Sequence, residues 1–385
     1  MRVLSIQATW VPPPEDTRAD RFCLLSEHLE GDVLQPVWFE RPEQVEELFG
    51  PGSYTEYRRG RFRYHWFTAF RYSGWQRKFR APWFYISKGL EIHRKTPYDC
   101  IVVYSHMAPA LAAVLLKKLT GARLIVEIMT APELSYLYEH TRRTVGDRLM
   151  RLFSDFCLKV TVRASDRVHL LYGSQLSGYP RLSDVPASVF TDFVPVSLIP
   201  AYQQEHEPVI LMVGAPWYLK GADILIQAFK KIAGEFPDVI LRIQGHNPNS
   251  PELEAMAKHP RIEVVRAVPN PETLRRIARA LLLAHPSRCD GVPRVLVEAL
   301  GAGIPVVASD VGGNPATIRH GENGYLVPAE NADELARRLR ELLSDPELRR
   351  GMGAKGYEMA HTQFSERVYV EQFTRMVEAT VRGER

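Results

Sequence analysis

Residues 285–313 read HPSRCDGVPRVLVEALGAGIPVVASDVGG. An acid, Asp290, precedes a Gly-Val-Pro turn that opens a helix, and a second acid, Glu298, stands eight positions further on inside that helix. Beyond the helix, Ile304 to Ala308 is a short β-branched run that leads to the pair Gly312-Gly313. Side chains on a helix lean toward its N-terminus, so Glu298 reaches back to the end that Asp290 flanks, and two carboxylates face one cleft. Each carboxylate can accept two hydrogen bonds, which suits vicinal hydroxyls. The free N–H groups of the turn from Gly291 through Val292, Pro293 and Arg294 to Val295 suit phosphate or ring oxygens. The pattern reads as a place for a sugar, a diphosphate and a ribose. Taken singly, each acid has a plainer reading, Asp290 as a helix N-cap and Glu298 as an exposed helix residue.

Upstream, residues 209–229 read VILMVGAPWYLKGADILIQAF. This is a strand, a loop bounded by Gly214 and Gly221, and an amphipathic helix in which Leu225, Ala228, Phe229 and Ile232 share one face. A glycine-bounded loop at a helix start lets backbone N–H groups approach an anion, and Lys220 adds a full charge beside it. The alternative is an ordinary strand-to-helix turn with a solvated lysine. Further strands at Val239–Gln244, Ile262–Val265, Leu281–His285 and Ile304–Ala308 alternate with helical segments. The first half of the chain shows the same cadence less cleanly, with strands at Val3–Gln7, Cys100–Tyr104 and Arg123–Ile128 and helices at Thr17–Leu29 and Ala108–Leu119. Short, nearly continuous β-branched runs are parallel strands buried on both faces. The expected fold is therefore α/β, with two doubly wound Rossmann-like domains facing a central cleft.

A length of 385 residues exceeds what one core sustains and supports the same division. The cadence breaks where Pro195, Pro200 and Pro208 punctuate a polar stretch. The expected domains are 1–205, 206–364, and a terminal helix at 365–385 that returns to the first. The longest uninterrupted apolar run, Pro109 to Leu116, is far short of the roughly 18 residues that span a bilayer. The opening MRVLSIQA lacks the apolar core of a signal peptide, so a cytoplasmic location is expected, on the inner face of the cell membrane if the protein is peripheral. Four scattered cysteines and the absence of Asp-x-Asp or a ligand-spaced His/Cys cluster predict no metal, no cofactor and no disulfide framework.

At the two quoted stretches the chain resembles the retaining GT-B glycosyltransferases of family 4. Their signature of a carboxylate, seven residues and Glu matches Asp290-x7-Glu298. The resemblance extends over about residues 206–375 through Gly214, Lys220-Gly221, Gly245, Pro286-Ser287, Gly303 to Ser309 and Gly312 to Pro315. It implies that Lys220 neutralises the donor diphosphate, that Asp290 holds donor-sugar hydroxyls, that Glu298 holds the ribose, and that the main chain from Gly291 to Val295 supports sugar and phosphate. Four positions depart from the family pattern. Ala215 stands where a second cation is usual, with Arg294 or Arg266 as substitutes. Asp290 is shorter than the commoner Glu. The loop Thr9 to Asp16 (TWVPPPED), including Thr9 and Trp10, lacks paired glycines. Met129 occupies the place of a histidine, leaving His106 as the candidate on the acceptor side, where a lone histidine also reads as structural.

The net charge of +4 arises wholly before residue 206, where 26 basic residues face 22 acidic ones. Arg58 to Lys88 alone carries nine basic residues, eleven aromatics and no acid. No nucleic-acid-binding motif accompanies it, so nucleic acid is not an expected partner. Two readings remain, aromatics that fill the N-domain core and an anionic membrane surface as partner. The resemblance implies transfer of a sugar from a nucleoside-diphosphate donor to a lipid-linked or cell-envelope glycan acceptor. A GT-B phosphorylase or nucleotide-sugar epimerase is an alternative, as is a non-catalytic membrane-associated scaffold that keeps a degenerate donor site.

Overall fold

The computed structural model describes residues 1–8, 16–37, 43–49, 51–53, 57–68, 74–130, 145–200, 206–245 and 250–384. The chain divides into two compact units. Unit 1 is Met1–Pro132, Arg148–Phe193 and Glu366–Arg385, and unit 2 is Glu133–Asp147 and Val194–Ser365. The crossing at Phe193 falls at the start of the proline-punctuated break and ahead of the boundary expected at 205. Val194, Val196 and Ile199 are buried in the unit 2 core against Leu211, Leu296 and Leu300, so they already belong to that unit.

Unit 1 is built on an eight-stranded sheet made of β1 (Arg2–Gln7), β2 (Glu30–Val37), β3 (Tyr57–Arg59), β4 (Phe62–Thr68), β5 (Cys100–Tyr104), β6 (Arg123–Ile128), β7 (Arg167–Leu170) and β8 (Ala187–Val189). Their order is β3-β4-β2-β1-β5-β6-β7-β8. All neighbours are parallel except the edge pair β3 and β4. Its helices are α1 (Arg21–Leu25), α2 (Glu43–Phe49), α3 (Gly74–Lys95), α4 (Ala108–Thr120) and α5 (Val145–Ala164), whose first turn falls at the unit boundary. The helix expected from Thr17 shortens to α1 because Asp20 accepts from the Phe22 and Cys23 N–H groups and starts a new helix there.

The basic aromatic stretch does not form one surface. Along β4, Phe62, Tyr64 and Trp66 are buried, whereas the alternate residues Arg61 and Arg63 face solvent, which is the period-two pattern of a half-covered strand. Tyr85 on α3 is also buried, and Trp83 is exposed. Residues 69–73 lie outside the described residues. The core-filling reading therefore holds for Phe62, Tyr64, Trp66 and Tyr85.

Unit 2 carries a six-stranded parallel sheet: β9 (Glu207–Val213), β10 (Ile240–Gly245), β11 (Ile262–Arg266), β12 (Ala280–His285), β13 (Val306–Ser309) and β14 (Gly324–Val327), in the order β11-β10-β9-β12-β13-β14. Around it are α6 (Ala222–Ile232), α7 (Pro251–Met256), α8 (Asn270–Arg279), α9 (Arg294–Gly301), α10 (Asn314–Thr317), α11 (Ala332–Ser344) and α12 (Pro346–Gln363). The expected stripe on α6 is covered completely, with Leu225, Ala228, Phe229 and Ile232 all inside the core. Burial of each larger side chain in it contributes about 1.5–3 kcal/mol. The last helix, α13 (Glu366–Arg382), packs in unit 1, where Tyr369, Phe373, Met376 and Val377 join Val3, Val102 and Ile125.

Strand order fixes where a ligand can sit. The first strand of unit 2, β9, lies between β10 on one side and β12 on the other, so the chain turns in opposite directions from β9 and from β12. The crevice outside the carboxyl ends of these two strands is the topological switch point, the usual binding place in such sheets. The loops that leave β9 and β12 there are 214–221 and 286–293, the two stretches singled out by sequence.

Candidate active site

Two glycines let these loops meet. Gly221 has φ +75°, and a Cβ on it would stand 2.0 Å from the Pro286 carbonyl oxygen. Gly312 has φ +53°, and its Cβ would stand 2.0 Å from the Asp290 carbonyl oxygen. Both positions need a backbone conformation that disfavours side chains and an approach that forbids one. The contacts are held by polar groups. The Arg288 N–H donates to the Leu219 carbonyl at 2.9 Å, and its guanidinium donates twice to Asp223, at 2.9 and 2.7 Å, and once to Glu330. The Gly313 N–H donates to the Gly291 carbonyl at 2.8 Å. Arg288, lying over the Tyr218 ring at 3.9 Å, is thus a strut between the phosphate-type loop and the β12 loop. Sequence reading missed it, although its position between Ser287 and the motif acid was visible.

The Lys220 Nζ donates to Asp290 Oδ2 at 2.5 Å, and His285 Nε2 lies 2.9 Å from the same oxygen. The other oxygen, Oδ1, accepts from the Gly291 N–H at 3.1 Å. Burial by itself would raise the Asp290 carboxyl. Lys220 and His285 outweigh it and hold the group at about 2, so it is ionised at neutral pH. Burial also depresses the His285 imidazole, and its Nδ1 has no hydrogen-bond partner among the described residues. His285 is the second residue that the sequence reading did not select. As the last residue of β12, at the carboxyl end of a central strand, it occupies a position that could have signalled it.

Asp290 is not the helix cap, since α9 begins after Pro293 without a side-chain cap. Nor is Glu298 on an exposed face. It is 7% exposed, burial raises its carboxyl with Arg294 opposing, and it accepts no hydrogen bond among the described residues. A buried carboxylate without donors is costly, which marks Glu298 as a group poised for a partner. The row of N–H groups expected from Gly291 to Val295 is shorter than anticipated. The Gly291 N–H is engaged by Asp290, and Pro293 has none; those of Val292, Arg294 and Val295 have no backbone acceptor among the described residues. Gly214 directly follows β9 and Gly245 ends the neighbouring strand β10, and the Gly214 N–H donates to the Gln244 carbonyl at 2.9 Å. Of the two arginines that could replace the cation missing at Ala215, Arg294 opens α9 and Arg266 ends β11, and both are exposed.

On the acceptor side, Thr9 and Trp10 lie outside the described residues. His106 follows β5 and is buried, with Nε2 3.1 Å from Ser154 Oγ, and burial pushes its imidazole down to about 4. It is a neutral, hydrogen-bonded histidine, and Met129 directly follows β6, half-buried. Among the described residues no group of three or more His, Cys, Asp or Glu is arranged to hold a metal ion.

Solved structures share this architecture. Sucrose-phosphate synthase from Thermosynechococcus elongatus matches at a TM-score of 0.75 with 17% identity, covering 98% of both chains. The Anabaena HepE protein in complex with UDP-glucose matches at 0.68 with 16% identity over 98% of this chain and 99% of that one. The chain thus has the two-domain α/β fold of the GT-B glycosyltransferases. Residues 200–359, which contain the β9 and β12 loops and the residues of the candidate site, match the model of the glycosyl transferases group 1. Among curated relatives, an exopolysaccharide phosphotransferase of Streptomyces coelicolor is 35% identical over 50% of this chain and 20% of its own length. A GDP-mannose-dependent alpha-(1-6)-phosphatidylinositol monomannoside mannosyltransferase of Mycolicibacterium smegmatis is 28% identical over 63% of this chain and 66% of its own.

Proposed function

We propose that this protein transfers a sugar, with retention and without a metal ion, from a nucleoside-diphosphate donor bound by unit 2 to a lipid-linked or cell-envelope glycan acceptor bound by unit 1, at the cytoplasmic face of a membrane. The observation that carries the reading is the pairing of Lys220 with the motif carboxylate Asp290 at the switch point, with a buried Glu298 on the helix that follows the same loop. In the free protein, Lys220 and Asp290 neutralise one another. An arriving diphosphate competes for Lys220, which turns its charge onto the phosphate that will depart. Asp290, still held by His285 and the Gly291 N–H, then has an oxygen free for donor-sugar hydroxyls. Glu298 takes the ribose hydroxyls, exchanging an unsatisfied buried carboxylate for a bonded one. Lys220 and the N–H groups at the start of α9 stabilise the charge that grows on the leaving diphosphate, the largest catalytic effect such a site offers.

The lipid-linked acceptor is supported by the name of the Mycolicibacterium relative, and the nucleotide-sugar donor by the UDP-glucose complex of the HepE neighbour. A thermal-shift screen of nucleoside diphosphates and their sugars tests the donor half. A ligand at one hundred times its Kd stabilises the native state by about 2.7 kcal/mol, which moves the melting midpoint by several degrees. The reading fails if no nucleotide stabilises the protein. Diphosphate release that ignores acceptor, or donor-sugar epimerisation, would point instead to the epimerase reading, and activity lost to EDTA and restored by Mg²⁺ or Mn²⁺ would end the metal-free mechanism.

A further inference from the structure

Twelve large apolar side chains are exposed among the described residues, and six of them, Val145, Leu149, Met150, Leu152, Phe153 and Phe156, lie on the single helix α5. Scattered exposed apolar residues are normal on a protein surface, but such a concentration on one helix is not. At about 100° per residue, Leu149, Leu152, Phe153 and Phe156 fall within an arc of roughly 100°. The opposite side of the helix holds Ser154, Cys157, Leu158, Thr161 and Val162, all buried. So α5 has two apolar faces. One is spent on the unit 1 core through Leu158 and Val162, and the other is turned to solvent, with Leu152 66% and Phe156 57% exposed.

The exposed charges beside the outer face are basic. Arg148, Arg151, Lys159 and Arg163 are exposed, and Arg148 and Lys159 border one side of the apolar arc. The one acid from Arg148 onward, Asp155, is half-buried, lies 4.0 Å from the Arg151 guanidinium and accepts from the Tyr179 hydroxyl at 2.6 Å. Rings and leucines flanked by arginine and lysine form the surface that lies in the interface of a bilayer, apolar groups below the headgroups and cations among anionic phosphates. A soluble protein partner of ordinary composition gives no reason for an all-basic border, whereas an anionic lipid does.

We infer that the outer face of α5, from Leu149 to Phe156 with its basic border, docks the protein on anionic lipid bilayers. The membrane contact is thereby assigned to this helix and not to the Arg58–Lys88 stretch, whose Phe62, Tyr64, Trp66 and Tyr85 fill the core. The inference does not rest on the glycosyl-transfer reading, and its test needs no turnover. Wild-type protein and variants are sedimented with vesicles of phosphatidylcholine alone and of phosphatidylcholine mixed with phosphatidylglycerol, at low and at high salt. Leu152→Asp with Phe156→Asp should lower partitioning onto the mixed vesicles by at least about tenfold, because two apolar anchors are lost. Both sites are exposed, so the melting midpoint should not move. Arg148→Glu with Arg151→Glu leaves the anchors in place and should abolish the preference for the anionic vesicles and its salt sensitivity. Wild-type protein that sediments with neither vesicle overturns the inference. It is equally overturned if the Leu152/Phe156 variant binds like wild type while Arg77→Glu, Lys78→Glu and Arg80→Glu together remove binding. A third refuting result is self-association in lipid-free solution that the α5 variants abolish, which would make a second copy of the chain the occupant.

Discussion

Replacing Lys220 by alanine separates the role that the structure gives this side chain, partner of Asp290, from the proposed one, cation for a diphosphate. The stability term is limited by what stays behind. Breaking a buried pair costs about 3–5 kcal/mol when the remaining charge is orphaned. Asp290 is not orphaned, because His285 at 2.9 Å and the Gly291 N–H at 3.1 Å still reach it. Its carboxyl, held at about 2 with Lys220 present, should rise without reaching neutrality at pH 7. A loss of about 1–3 kcal/mol follows, or roughly 2–10 °C in melting midpoint for a unit of this size. The kinetic term is larger. A preorganised donor facing developing charge supplies a factor of about 100 to 1000 in kcat. Steady-state rates at saturating donor, with donor Kd from calorimetry and midpoints from scanning fluorimetry, measure the three effects separately. The expected pattern is a large fall in kcat with a modest fall in stability. An unchanged kcat at saturating donor would refute the catalytic assignment and leave Lys220 as a structural partner of Asp290. Combining Lys220→Ala with Asp290→Asn should cost less stability than the sum of the single changes, since the two share one interaction.

Glu298→Gln should weaken donor binding about tenfold, because the amide offers an NH₂ where a hydroxyl must donate, yet leave the melting midpoint unchanged or raised, because a buried carboxylate without donors is removed; a normal Kd by calorimetry would reduce Glu298 to a packing residue. Gly312→Ala forces a side chain into a left-handed backbone and onto the Asp290 carbonyl, so it should lower the midpoint by more than the same change at Gly321, where φ is +80° but the added Cβ meets nothing within 4 Å, and it should also impair donor binding. Equal effects at the two glycines would contradict the close packing of Gly312 on Asp290. His106 gives a pH signature of known sign. Its folded value of about 4 lies below the ordinary 6.5, so the unfolded chain binds the extra proton between those limits, and its contribution is complete above pH 6.5 and is lost as pH falls toward 4, by roughly 3 kcal/mol in all. Denaturant titrations of wild type and His106→Gln at pH 7.5 and 4.5 should show a shallower pH dependence in the variant, and parallel curves would mean that His106 is not held neutral.

Much of the fold was legible because its evidence is local. The run Val209–Val213, the stripe Leu225, Ala228, Phe229, Ile232 and the short β-branched strands report burial directly through their period. What escaped was set by contacts distant in sequence. One crossing between units lies at Phe193, ahead of the boundary expected at 205, because Val194 and Val196 find partners near Leu211 and Leu296, and the composition around Pro195, Pro200 and Pro208 does not contain that information. The stretch from Arg58 to Lys88 reads as a surface because its charge is uniform. Along β4, second from the sheet edge, exposed and buried residues alternate instead, and the alternation appears only once Phe62, Tyr64 and Trp66 are read as a separate face with period two.

The site shows the same limit. The spacing placed Asp290 just ahead of α9 and Glu298 within it, and glycine positions were enough to mark the loops that meet there. Pairing across the switch point was not readable, since Lys220 and Asp290 are seventy residues apart and their contact depends on β9 and β12 being neighbours. That contact changes how the shorter acid is understood. With a Lys220–Asp290 distance of 2.5 Å and His285 on the same oxygen, the carboxylate is drawn toward the base of the loops, where a side chain longer by one methylene would have to fold back or displace the lysine. His285 and Asp290 are therefore matched to one another. A donor that takes Lys220 for its phosphates leaves a carboxylate already positioned, so the energy of binding goes into the exchange of one ion pair for another.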